Sequence, residues 1–253
     1  MPVRRFKPMV KNINKESRNR EVLSAVIDNY IRRAQAVSSE DVCRNFDCSS
    51  ATIRNVMNDL EDLGYLTHPH TSSGRVPTDK GYRYYVDMLA SQIELVEEEK
   101  IRITREYHRQ LNKLEDILEK TSEVLSSFTH CAGIVTFLDR ENKIYYNGAS
   151  LIIAHPELNN IDKIRDILRI LEEKKTLLEI LNRGLEKRLN IYIGNELACR
   201  EIANCSLIVS TYEMEDRPCG KIAVLGPRGM NYSQVIPTIE YVSELIGRAL
   251  ENL

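Results

Sequence analysis

The sequence predicts an α+β chain: three helices and a short hairpin at the N-terminus, a helical connector, then an antiparallel sheet with flanking helices. Three observations predict it. Between residues 17 and 63 the apolar positions recur only at helical spacing. Residues 65–77 hold two short extended runs around a polar tip. Beyond residue 130, β-branched runs of strand length alternate with helical stretches. A length of 253 residues suffices for one or two cores.

Helix one begins at Ser17 or Asn19 and carries Val22, Leu23, Val26, Ile27, Tyr30 and Ile31 on one stripe, with Arg32 and Arg33 at its negative end. Ser38 or Ser39 caps helix two, SEDVCRNF, with Val42 and Phe46 inward. Asp47-Cys48-Ser49 turns into helix three. That helix is capped by Ser49 or Ser50, striped by Ile53, Val56, Met57, Leu60 and Leu63, and stopped by Gly64. Two helices joined by a tight polar turn are the helix-turn-helix signature. Tyr65-Leu66-Thr67 then opens a strand, His68 to Ser73 form the tip, and Arg75-Val76 return. Pro77 ends the pairing and Thr78 caps helix four, which packs through Tyr82, Tyr85, Val86 and Leu89. Residues 1–90 thus have the layout of a winged helix-turn-helix DNA-binding domain.

The outer face of helix three carries Ala51, Asn55, Asn58 and Asp62, with Thr52 and Arg54 on its shoulders. Asn can grip adenine and Arg guanine in the major groove. The candidate DNA-binding residues are Ser50, Thr52, Arg54, Asn55 and Asn58, with Ser72, Ser73 and Arg75 from the wing; Arg75 is expected near the wing tip, reaching a phosphate or the minor groove. The acids Asp59, Glu61 and Asp62 stay off the phosphates if the helix enters by its N-terminus. The helix face alone fits a solvated surface equally well; the turn and hairpin tip the reading towards DNA. A basic arm over residues 1–16 reads as a phosphate contact or a frayed tail. Charge agrees in sign: +3 over residues 1–90 and −5 over the rest make up the net −2.

Residues 91–128 form a connector helix or helix pair. Ile93, Val96, Lys100, Ile103 and Tyr107, then Leu111, Leu114, Leu118, Thr121, Leu125 and Phe128, make a heptad-like seam with one stutter. The seam suits either a dimer or packing within the chain. In residues 129–253, CAGIVTFL is a buried strand, and KIYYNGA with SLIIA a second extended region. Ile161 to Leu181 are helical. LNIYIG, CSLIVSTYEM and GKIAVLG are three strands, with turns at Gly194-Asn195 and at Arg217-Pro218 to Gly220. A last helix runs from about Tyr232 to Leu250 with Pro237 in its second turn. This layout is similar to the GAF sensor fold.

No catalytic constellation stands out, so no enzyme, metal or cofactor is expected. The five histidines are scattered, and the six cysteines, without CxxC spacing, read as reduced packing residues. Gly226-Pro227-Arg228-Gly229 reads as a structural turn, or more weakly as an anion cradle. With no membrane span and no signal peptide in view, the expected location is the cytoplasm.

The unbroken string GYLTHPHTSSGRVPTDKGYRYYVD, with GKIAVLGPRGMNYSQVIPTIEYVSELI and ELACREIANCSLIVSTYEM further on, closely resembles heat-inducible transcription repressors of the HrcA type. The resemblance implies a bacterial repressor that binds double-stranded DNA as a homodimer, at an inverted repeat (the CIRCE element) ahead of chaperone operons. It also implies release on heat stress, a GAF-like domain, an inserted dimerisation domain, and dependence on the GroE chaperonin. The chain departs from the family at Asp139 to Lys143, where only a short link stands and much of the inserted domain is missing. Dimerisation would then fall to the connector and the GAF-like domain. The alternative is a winged-helix regulator whose second domain senses a small molecule.

Overall fold

In the computed structural model, which describes residues 15–69, 74–89, 93–107, 113–138, 143–153, 155–158, 160–183, 188–215 and 217–251, two compact units are found, residues 1–88 and 89–253. The first holds α1 (Lys15–Arg33), α2 (Ser39–Cys43), α3 (Ser50–Asp62), the two-stranded ribbon β1 (Leu66–Thr67) and β2 (Val76–Pro77), and α4 (Asp79–Leu89). Its core is built largely from the stripes expected: Val22, Leu23, Val26 and Ile27 meet Val42, Ile53, Met57 and Leu60, with Leu66, Tyr82 and Val86 closing the far side, whereas Leu63, placed on the inner stripe of helix three, is 50% exposed. Helix α2 is shorter than the sequence suggested. Ser38 and Asp41 form a capping box at its start, but Arg44 already ends it.

The ribbon pairs Leu66 with Pro77 and Thr67 with Val76. A third pairing extends it: Arg75 and Val37 exchange both backbone hydrogen bonds at 2.9 Å. Gly74 is required by this approach, since a Cβ there would lie 2.5 Å from the carbonyl carbon and oxygen of Val37. Gly74→Ala should push the wing off Val37 and lower the melting temperature of the first unit, by about 1–3 kcal/mol of stability; thermal denaturation followed by circular dichroism reads this directly.

The second unit contains α5 (Glu97–Tyr107), α6 (Leu114–Thr129), β3 (Ala132–Phe137), β4 (Lys143–Asn147), α7 (Ala149–Ile153), α8 (Ile161–Glu172), α9 (Lys174–Leu181), β5 (Leu189–Ile193), β6 (Cys205–Met214), β7 (Arg217–Pro227) and α10 (Tyr232–Glu251). The strands form one antiparallel sheet in the order β4-β3-β7-β6-β5. Helices α6 and α10 cover one face. On the other, Ile152, Leu158, Ile167, Ile170, Leu177 and Ile180 pack on Ala132, Ile134, Leu207, Val209, Ala223 and Leu225.

Four expectations change. The connector is not a separate piece: α5 and α6 belong to the second unit. Much of its seam packs within the chain, with Ile103, Tyr107, Leu118, Thr121 and Leu125 buried and the hydroxyls of Tyr107 and Thr121 joined at 2.9 Å, while Val96 is 61% exposed and Leu111 lies outside the described residues. The run SLIIA is not extended. Gly148, at φ +81°, turns the chain into α7, which sends Ile152 into the core. A short β-branched run has no period long enough to tell helix from strand. The helix at 161–181 is two helices, broken at Glu173 (φ −84°, ψ 84°) without a Pro or Gly to mark it. Finally, Arg217, Pro218 and Gly220 lie within β7. The turn comes earlier, around Glu215 at φ +50°, and Gly220 leaves room for the Tyr212 ring, whose Oη donates to the Thr136 carbonyl at 2.7 Å.

Candidate nucleic-acid interface

Helix α3 is fixed at both ends by local chemistry. Ser49 Oγ accepts from the Thr52 amide at 3.2 Å. At the other end Gly64, at φ +76°, donates to the Glu61 carbonyl at 2.8 Å and Tyr65 to the Leu60 carbonyl at 2.9 Å, a Schellman motif. With Ile53, Val56, Met57 and Leu60 buried, the opposite face must point outward. Arg54 and Asn55 lie there exposed, and among the described residues neither side chain meets a hydrogen-bond partner. Ser50, at the first helical position, is half-buried. Thr52 is half-buried too, and its hydroxyl is 3.0 Å from Ser49 Oγ, so it is partly engaged in the cap.

The wing contribution differs from expectation. Ser72 and Ser73, like His70, lie outside the described residues, as do residues 1–14 of the basic arm. Arg75 does not reach outward from a wing tip. It stands at the wing base, 9% exposed, with its guanidinium folded onto α3. Its Nε donates to Glu61 Oε2 at 3.1 Å, and its terminal nitrogen donates to Asn58 Oδ1. The other Glu61 oxygen meets His68 Nδ1 on the far strand of the wing. The cause is electrostatic and geometric. The backbone pairing with Val37 holds Arg75 beside α3, and a carboxylate within reach is a stronger partner for a guanidinium than water.

Glu61 is therefore the residue that sequence reasoning missed. It read as an acid kept away from phosphates, whereas it ties both wing strands to the third helix. Its partners lie seven and fourteen residues downstream. Only the register of the wing, which no local pattern encodes, brings them together.

Among the described residues the second unit offers no rival site of equal definition. The Gly226–Gly229 turn is filled by the chain itself, since the Gly229 amide donates to Glu157 Oε2 at 3.2 Å. Burial pushes the thiols of Cys131 and Cys205 up to about 12, which keeps both protonated. No group of three or more metal-ligating side chains occurs among the described residues.

A helix-turn-helix with an attached two-stranded wing, presenting a short polar helix face beside it, defines a winged-helix DNA-binding protein. Residues 15–92 match the family described as winged helix-turn-helix transcription repressor, HrcA DNA-binding, and residues 136–236 match the HrcA protein C terminal domain. The chain belongs to the HrcA family of heat-inducible transcription repressors, which are not enzymes.

The heat-inducible transcription repressor HrcA of Desulforamulus reducens is 27% identical over 339 residues, covering 94% of this chain and 98% of its own. That of Carboxydothermus hydrogenoformans is 28% identical over 337, with the same coverage, and that of Bacillus pumilus 26% over 333, covering 92% and 97%. These alignments are longer than the 253 residues of this chain, so the relatives carry segments that it lacks. A crystal structure described as that of a hypothetical protein at 2.2 Å resolution superposes with a TM-score of 0.81 at 19% identity. It covers 95% of this chain and 99% of that one, and shows the shared fold alone.

Proposed function

We propose that this protein represses heat-shock operons by occupying an inverted-repeat, CIRCE-like operator as a homodimer in the cytoplasm, and releases it on heat stress. The observation that carries the reading is the outward face of α3. Arg54 and Asn55 stand exposed in its N-terminal half with their donors and acceptors unspent, while Asp59, Glu61 and Asp62 lie in the other half. Two-fold symmetry of the dimer would set the half-sites a whole number of helical turns apart. A GroE-type chaperonin that maintains the folded fraction would close a feedback loop on the genes repressed. No helix among the described residues is long and apolar enough to cross a membrane.

Arg54→Ala and Asn55→Ala should each weaken operator binding by about 1–3 kcal/mol and relax the preference at one base pair. Fluorescence anisotropy on an inverted-repeat duplex, a scrambled duplex and single-base variants measures both effects. The decisive series runs the parent protein across salt at growth and heat-shock temperatures, with and without chaperonin. Tight binding to the repeat alone, lost on heating and restored by chaperonin, is the expected result. Equal binding to both duplexes with a steep salt slope would leave only a non-specific basic domain. Ligand sensing is the competing reading for the second unit. The inner face of its sheet is filled by side chains. A cleft of about 210 Å³ beside the end of α10 is lined by Glu213, Glu215, Glu244 and Glu251 with Arg188 and Arg248, and Glu244 already pairs with both arginines.

A further inference from the structure

We infer that Arg75 is a positioning residue that orients the Asn58 amide so that its NH₂ meets a DNA phosphate and Asn58 reads no base; this rests on the DNA-binding reading above. The guanidinium has donors and no acceptor, so the Asn58 atom that faces it must be the carbonyl oxygen. The side-chain NH₂ of Asn58 is thereby turned away from Arg75, on an exposed residue of the outer face of α3. An asparagine that grips adenine needs both ends of its amide, the oxygen accepting from N6 and the nitrogen donating to N7. One lone pair of the Asn58 oxygen is spent on Arg75 and that oxygen faces the guanidinium, while both hydrogens of the amide nitrogen are unspent.

Depth along the helix decides which acceptor. Asn58 lies eight residues beyond Ser50, which at 1.5 Å per residue is about 12 Å back from the leading turn. The major groove is about 8.5 Å deep. With α3 entering by its N-terminus, Asn58 is level with the sugar-phosphate backbone, where an amide N–H finds a phosphate oxygen. Glu61 sits one turn further on. Its negative charge would repel the same phosphate, but it is held between Arg75 and His68. Arg75 therefore does two things in one place: it orients the amide of Asn58 and neutralises the acid behind it. Arg75 itself, 9% exposed, is not a phosphate ligand.

The test uses the full chain and anisotropy on the inverted-repeat duplex with its single-base variants. Asn58→Ala should weaken binding about 3- to 10-fold, the worth of one hydrogen bond. The loss should be equal on every variant, leaving the order of preferences unchanged. Arg75→Met should weaken binding, and adding Asn58→Ala to it should cost little more, because the amide is already unset. The slope of log affinity against log salt should stay as in the parent for Asn58→Ala, which changes no charge. Melting curves, with Arg75→Lys as a conservative rescue, separate positioning from unfolding. Relaxed preference at one base pair in Asn58→Ala, or additive losses in the double variant, would overturn the inference. If Arg54→Ala still weakens binding in that case, the DNA-binding reading survives without it. A parent that binds no duplex specifically would remove both.

Discussion

Gly81→Ala should destabilise the winged-helix unit by about 2–3 kcal/mol, one of the largest effects of any single methyl in that unit. A Cβ at Gly81 would lie 2.3 Å from the carbonyl oxygen of Tyr65. That oxygen cannot yield easily. It accepts from the Thr78 amide at 3.1 Å and from Thr78 Oγ1 at 3.2 Å, and Thr78 Oγ1 in turn accepts from the Gly81 amide at 3.1 Å. The first turn of α4 is thus laced to the chain leaving α3. Thr78 Oγ1 also donates to the Gly64 carbonyl at 2.7 Å and Lys80 Nζ to the Leu63 carbonyl at 2.8 Å, so α4 satisfies carbonyls at the end of α3. A methyl group would force these elements apart and loosen the base of the wing.

Calorimetry on the full chain should show the transition of the N-terminal unit moved down while that of the second unit holds its place. Operator affinity measured well below the new transition should be close to the parent's, because Arg54 and Asn55 are untouched. An unchanged melting profile would mean that α4 shifts against Tyr65 at no cost, and the lacing described would then contribute nothing.

Much of this unit was legible in the sequence, and the reasons are local. Serine before helix three, the stripe Ile53–Val56–Met57–Leu60 and Gly64 behind it specify a capped helix with a defined inner face, so its outer face follows by geometry. The tyrosines of α4 were read as packing groups; Tyr82 and Tyr85 are buried, and Tyr84 accepts from Arg20 Nε at 3.3 Å. What stayed hidden depends on contacts distant in sequence. The inward turn of Arg75 follows from its pairing with Val37, thirty-eight residues earlier, and from Glu61, fourteen earlier. In the second unit the five strands were read from their β-branched composition. The helix α7 and the break between α8 and α9 were not: Gly148 before α7 marks a turn without saying whether helix or strand follows, and no Gly or Pro stands at Glu173 to mark the break.

Lys221→Met should stabilise the second unit by about 1 kcal/mol: it removes the cost of burying a charge, offset in part because the Leu181 carbonyl loses its donor. Lys221 lies in β7, 4% exposed, and its Nζ donates to the Leu181 carbonyl at the end of α9 at 2.7 Å. Among the described residues no carboxylate partners it, and burial pulls its pKa below the ordinary 10.5. The sign follows from linkage. The fold binds this proton less well than the unfolded chain, so the group weakens the fold most below its lowered pKa. The penalty fades as pH rises from there to 10.5. The advantage of the methionine variant should shrink over the same interval, and parent and variant melted in parallel from neutral to alkaline pH would show it. A unit of this size gains about 2–4 °C per kcal/mol. If the operator is released because the second unit loosens on heating, the temperature of release in the anisotropy assay should rise with the melting temperature. A variant that melts later yet lets go of DNA at the parent's temperature would place the thermal trigger outside the second unit.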